Sequence, residues 1–205
     1  MKFNRLSLCA GLLCLAGCAS TYPPTNFLKN SPSLTEGNHF RREYVRPGVN
    51  FMSYDKVQVL PVTLDFFENT DRVDHSVLPA LAKIMREEFE KALAQGRTVI
   101  SPDDAPDAKT LVIRPALVNT SASYNFIDIG SLVIGGAVTS GTTSVEIAVE
   151  DGLSGQILAA AAEKRKSKGR GLQREGKDTT VTSLPHAEIA SRKWAKQLAR
   201  LLAAS

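Results

Sequence analysis

The chain has 205 residues, 43% hydrophobic and 22% charged, which is the composition of an ordinary globular domain with length enough for one proper core. Its formal net charge of +4 is too small for bulk electrostatics to select a partner. The three cysteines, Cys9, Cys14 and Cys18, all lie near the N-terminus, so the rest of the chain has no thiol for a disulfide, a metal or a nucleophile.

The chain opens with Lys2 and Arg5 around the start of an apolar run from Leu6 to Leu15. That run is about ten residues, too short to cross roughly 30 Å of hydrocarbon as a helix, and it reads as the core of a signal peptide. The residues that close it, Leu15-Ala16-Gly17-Cys18, resemble the lipobox of bacterial lipoproteins. The resemblance implies that residues 1–17 are removed and that Cys18 becomes the first residue, with a diacylglycerol thioether on its sulfur. In Gram-negative bacteria it also implies a third acyl chain on the amine. Each buried methylene contributes about 0.8 kcal/mol, so two or three chains together hold a protein on a membrane where one does not. The competing reading is an ordinary secretory signal cleaved near Ala16. Ala19 and Ser20 follow the cysteine, with no Asp beside it. By the sorting rule of enterobacterial lipoproteins this implies the outer membrane, at its periplasmic face. Loss of Lys2 and Arg5 takes the formal charge from +4 to +2.

Residues 18–50 read as a lipid-anchored tether, because Pro23, Pro24, Pro32 and Pro47 interrupt a polar stretch with no sustained period. Some thirty flexible residues have an r.m.s. span of about 30 Å, enough for a domain to stand off a membrane. Among Phe27, Phe40, Tyr44 and Phe51, some are expected to pin the later part of this tether onto the domain.

Residues 51–205 are expected to form a single α+β domain. Residues 56–62 alternate into a short buried strand closed by Pro61. After a polar loop, a helix is expected with Asp74 or Ser76 near its N-cap and Pro79 in the first turn, where proline is tolerated. Leu78, Leu81, Met85, Phe89 and Ala92 fall on one face of it, and Gly96 supplies the stop. Residues 98–101 read as a short strand and residues 101–109 as an acidic, proline-broken loop. Residues 110–120 alternate into another strand, whose Pro115 predicts an edge position or a bulge. Residues 126–141 mix Ile127, Ile129, Leu132, Val133, Ile134 and Val138 with four glycines, giving either a buried apolar turn or an exposed apolar contact loop. Residues 142–150 and 156–163 alternate on either side of Asp151-Gly152-Leu153-Ser154-Gly155 and predict a hairpin. Residues 164–177 read as a basic, glycine-rich loop. A closing amphipathic helix over 183–204 places Ala187, Ala190, Trp194, Leu198, Leu201 and Leu202 inward. This order predicts one mixed or mostly antiparallel sheet with two helices packed on one face.

Gly135-Gly136, the run from Ser144 to Asp151, the run from Ser154 to Ala160, the basic loop and the final helix bearing Trp194 together resemble a family of small proteobacterial lipoproteins. It is the family called domain of unknown function thirty-three thirteen. The resemblance covers the chain from about Ala19 onward. It implies an envelope lipoprotein folded as one unit, and it carries over no activity and no catalytic residue.

Four constellations bear on chemistry. Asp71, Asp74 and His75 put two carboxylates and an imidazole together, but a metal needs a further distant ligand such as His39 or His186, and a helix cap accounts for Asp74 more simply. Asp103, Asp104 and Asp107 lack the Gly and terminal Glu of an EF-hand loop. Glu146 and Glu150 share one face of their strand, which suits either paired catalytic carboxylates or a strand facing water. Lys164, Arg165, Lys166, Lys168 and Arg170 form a candidate anion-binding loop, against the plainer reading of a solvated connection. No nucleophile elbow, phosphate loop or dinucleotide fingerprint is present, and no metal or cofactor is expected. The expectation is a lipid-anchored cell-envelope protein that binds or scaffolds another envelope component. Its partners are the membrane through Cys18 and either an envelope protein or anionic lipid, and not nucleic acid. The alternatives are a periplasmic enzyme acting on an envelope glycan or lipid, and an accessory subunit of a transport or secretion complex.

Overall fold

The structure is a computed structural model and describes residues 25–64, 78–125, 128–129, 132–133, 137–168 and 184–204. Six strands form one sheet in the order β1-β8-β7-β4-β2-β3. They are β1 (Arg42–Val45), β2 (Lys56–Val59), β3 (Thr98–Ile100), β4 (Thr110–Asn125), β7 (Ala137–Asp151) and β8 (Ile157–Lys168). Two short strands, β5 (Asp128–Ile129) and β6 (Leu132–Val133), pair with each other. The helices are α1 (Leu78–Leu93) and α2 (Leu184–Leu201). This is the expected α+β architecture. The sheet is mixed: β2 runs parallel to both β3 and β4, and the remaining pairs are antiparallel. Among the described residues, no helix is long and apolar enough to cross a membrane.

The helices form where the apolar spacing puts them. Leu78, Leu81, Met85, Phe89 and Leu93 of α1 are buried, and so are Ala190, Trp194, Leu198 and Leu201 of α2. Both stripes pack against Val57, Val59, Leu111, Ile113, Val145, Ile147 and Val149, which alternate onto one face of the sheet. Trp194 has no exposed surface and is the largest side chain of this core.

Strand β2 stops at Val59, short of the expected end at Val62, because Pro61 has no N–H to give the ladder. Leu60 N still donates to the Ile113 carbonyl at 2.9 Å, and the chain next meets β4 at Thr63, which bridges Ala116. Pro115 fits this gap. Its carbonyl accepts from Thr63 N, so its nitrogen faces the side that β2 has just left, a local edge inside the sheet. The register shifts in β4 come later, between Leu117 and Asn119 and between Ser123 and Tyr124.

Three expectations need correction. Residues 126–141 are not one loop: β4 continues to Asn125 and β7 already begins at Ala137, where Tyr124 pairs with Val138. Whether the apolar side chains there are buried lies outside the described residues. The basic segment does not begin as a loop either. Because β7 extends back past residue 144, it offers a ladder on which Lys164, Arg165, Lys166 and Lys168 continue β8, with Ser144 opposite Lys164 and Ser140 opposite Lys168. Arg170 lies outside the described residues. Finally, the part of the expected tether from Thr25 onward is folded. Phe40 and Phe51 are buried in the main core, and residues 42–45 are the edge strand β1, antiparallel to β8. Four aromatics and several short hydrogen-bonded turns hold this aperiodic segment without needing a helix or a long strand.

Candidate functional site

The face of the sheet turned away from the helices carries Glu146, Ala148 and Glu150 of β7 and Ala160 and Ala162 of β8. The sequence pattern allowed this face to meet water. Instead residues 25–36 lie across it as a strap. Leu28 and Leu34 are buried against Ala148, Ala160 and Ala162, with Phe27, Tyr44 and Ile157 around them. The alanines make a shallow surface, so a single layer of chain covers it. A short 3-10 turn, Asn26–Leu28, places Leu28 downward; the Thr25 hydroxyl caps it by accepting from Phe27 N at 3.2 Å.

At the head of the strap, Thr25 binds Glu146. The Thr25 backbone N–H donates to Oε1 at 2.6 Å and its hydroxyl donates to Oε2 at 2.9 Å. Glu146 has no exposed surface. Burial pushes its carboxyl above the usual value, and the hydrogen bonds from Thr25 and Leu28 oppose that rise. The far end of the strap pairs with β1: Thr35 and Glu43 exchange both backbone hydrogen bonds, at 3.0 and 2.8 Å. The Glu43 carboxylate then collects the backbone N–H groups of Asn38, His39 and Phe40 at 2.9, 3.2 and 2.9 Å. Gly37 permits this, because a Cβ there would collide with the Glu43 side chain.

Beside the strap is a cleft of about 420 Å³ bounded by Phe27, Lys29, Thr63, Arg114, Glu150 and Ile157. Arg114 donates to Glu150 at 3.2 Å across its floor. The paired carboxylates of the sequence reading therefore have separate tasks. Both oxygens of Glu146 hold the strap, and Glu150 is ion-paired at the cleft wall.

The other candidates fall in different places. Cys18, Asp71, Asp74 and His75 lie outside the described residues. Asp103, Asp104 and Asp107 build local turns: Asp104 accepts from Ser101 N, Ser101 Oγ accepts from Asp103 N, and Asp107 accepts from Thr110 and from Lys56, the latter at 2.6 Å. Lys56 and Thr110, with the Lys109 backbone, hold the Asp107 carboxyl down at about 2. His39 Nδ1 lies 3.8 Å from Glu43, and His186 is in the first turn of α2. Among the described residues, no three His, Cys, Asp or Glu side chains gather as a metal site. Arg165 is not free for an anion: its guanidinium contacts Glu163 at 2.6 Å and donates to Gln197 at 2.9 Å. Gln197 in turn donates to Glu163 and to the His39 carbonyl, tying α2, β8 and the strap loop together.

Sequence reasoning missed Thr25, Arg114 and Gln197. The one available signal was Glu146 itself, a carboxylate in the middle of a strand otherwise built for burial.

A profile of the family described as protein of unknown function (DUF3313) matches residues 23–198. No curated protein matches the chain. Among solved structures, the chain is similar to the PelC dodecamer from Paraburkholderia phytofirmans, at 15% identity over 76% of this chain and 96% of that one, with a TM-score of 0.45. It is also similar to a minor lipoprotein from Acinetobacter baumannii, at 11% identity over 74% and 94%, with a TM-score of 0.35. Lipoprotein GNA1162 from Neisseria meningitidis is 10% identical over 67% and 96%, with a TM-score of 0.37.

Proposed function

The chain belongs to the DUF3313 family of proteins of unknown function, and we propose that it is a lipid-anchored protein of the cell envelope that binds or scaffolds another envelope component. Acyl chains on Cys18 hold it at the periplasmic face of the outer membrane. The lipobox-like Leu15-Ala16-Gly17-Cys18 supports the anchor. The observation that carries the rest is the clamp of Thr25 onto buried Glu146. Only residues 19–24 separate Cys18 from Thr25. Seven residue steps reach at most about 25 Å, so an anchor on Cys18 keeps the strap face of the sheet near the bilayer and leaves the helices on the far side. A module held this way is suited to presenting a fixed surface. Glu146 and Glu150 are both engaged, which favours binding over hydrolysis by that pair.

Mass spectrometry of the N-terminus tests the anchor: acylated Cys18 is expected, with Cys18→Ser releasing the protein from membranes and density fractionation placing the wild type with outer membrane. A wild-type chain that begins unacylated at another residue overturns the reading. Crosslinking in intact cells, followed by purification of the tagged chain, identifies the envelope component.

A further inference from the structure

The helices α1 and α2 pack side by side, and their solvent side holds an open groove of about 740 Å³. Its floor is methyl: Ala92 comes from α1, and Ala195, Ala199 and Ala203 come from the α2 side at steps of four residues, in one row. Its rims are cationic. Lys91 stands on the α1 side and Lys196 and Arg200 on the α2 side, all exposed and with no ion-pair or hydrogen-bond partner among the described residues. Arg192 is different. It contacts Glu88 across the groove at 3.2 Å and Glu188 along α2 at 2.6 Å, so its charge is met. Three positive charges therefore border the groove uncompensated.

We propose that this groove docks an acidic, amphipathic helix of a partner protein. A floor of alanines lets a second helix approach closely and seat its ridge between α1 and α2. Cations on both rims call for carboxylates on both flanks of that ridge. A bilayer surface is flat and meets the rims without reaching the floor. A glycan finds no aromatic ring on which to stack. The groove lies on the helix face, opposite the strap, so an anchored chain presents it to the envelope space. The inference rests on the binding reading above and adds the chemistry of the partner.

The test uses the full chain purified in detergent and a labelled synthetic helix of about 20 residues with an Ala/Leu ridge flanked by Glu on both sides. Fluorescence anisotropy at low salt should show saturable binding that weakens as salt rises. The triple variant Lys91→Glu, Lys196→Glu, Arg200→Glu should weaken it about tenfold or more, with circular dichroism unchanged. Ala199→Leu, which fills the half-exposed floor and alters no charge, should also weaken it about tenfold. The proposal is overturned by no binding at low salt, by binding that survives the charge reversal, or by indifference to Ala199→Leu. Binding to phosphatidylglycerol vesicles or to alginate in place of the peptide also overturns it. The N-terminal mass is read on the same preparation: acylated Cys18 with no peptide binding removes this inference alone.

Discussion

Thr25 and Glu146, 121 residues apart in sequence, meet through two hydrogen bonds in which Thr25 gives its backbone N–H to one carboxylate oxygen and its hydroxyl to the other. Glu146→Ala leaves both donors without their acceptor and opens a hole under the strap. A cost of about 1–3 kcal/mol is expected. Glu146→Gln keeps one acceptor and the side-chain volume, and it should cost less. Thermal melting reads the stability, and limited proteolysis of the native protein should show new cleavage near residues 25–36 in the Ala variant first.

The carboxyls should titrate in a set order. Glu146 is raised above 4.5 by burial, and Asp107 is lowered from 3.8 to about 2 by Lys56 and Thr110. For Glu146 the folded state holds its proton longer than the unfolded one, so its contribution to stability falls as pH rises from its unfolded value through its folded one. For Asp107 the sign is opposite: its contribution is present above 3.8 and is lost as pH falls toward 2. Carboxyl carbon shifts followed by NMR should show Glu146 titrating above Asp107, and Glu146→Gln should remove the first of these slopes. A Glu146 that titrates at or below 4.5 contradicts its burial.

Trp194 fills the centre of the helix-to-sheet core with no exposed surface. Trp194→Ala should cost about 3–5 kcal/mol. Native fluorescence should be blue-shifted relative to the unfolded chain, and iodide should quench it poorly.

Arg97 joins two backbone segments through three carbonyls. Its guanidinium donates to the carbonyls of Tyr54, Phe51 and Leu202 at 3.2, 3.1 and 3.0 Å, linking the turn before β2 to the end of α2. Arg97→Lys keeps the charge but loses the planar fork that spans them. A loss of about 1–3 kcal/mol in chemical denaturation is expected, although no charge changes.

What the sequence made legible was what repeats. The helical spacing from Leu78 to Phe89 and from Ala190 to Leu198, and the alternation of Val145, Ile147 and Val149, placed both helices and the central hairpin on the correct face. What it concealed was what depends on distant partners. Residues 25–36 have no period of their own; they are ordered by Glu146 and by an alanine surface that forms only after β7 and β8 pair. Lys164, Arg165, Lys166 and Lys168 look like solvated charge, and they enter the sheet because β7 extends far enough to pair with them. Asp107 was legible as part of a proline-broken loop, but not its hold by Lys56, a partner 51 positions away. The uncompensated cations of the helix groove come from two elements, and no run in the sequence brings Lys91 beside Lys196 and Arg200.

The strap also determines how the fold answers a pull on its N-terminal end. Tension entering there meets Thr25 first, then Leu28 and Leu34, and only afterwards the pairing of Thr35 with Glu43. These attachments lie one behind another, so they yield in sequence, like a strip being peeled, before the long β4–β7–β8 ladders have to part. The strap is thus a sacrificial length: drawn out, it lengthens the free chain ahead of the fold and leaves the helix-covered core intact.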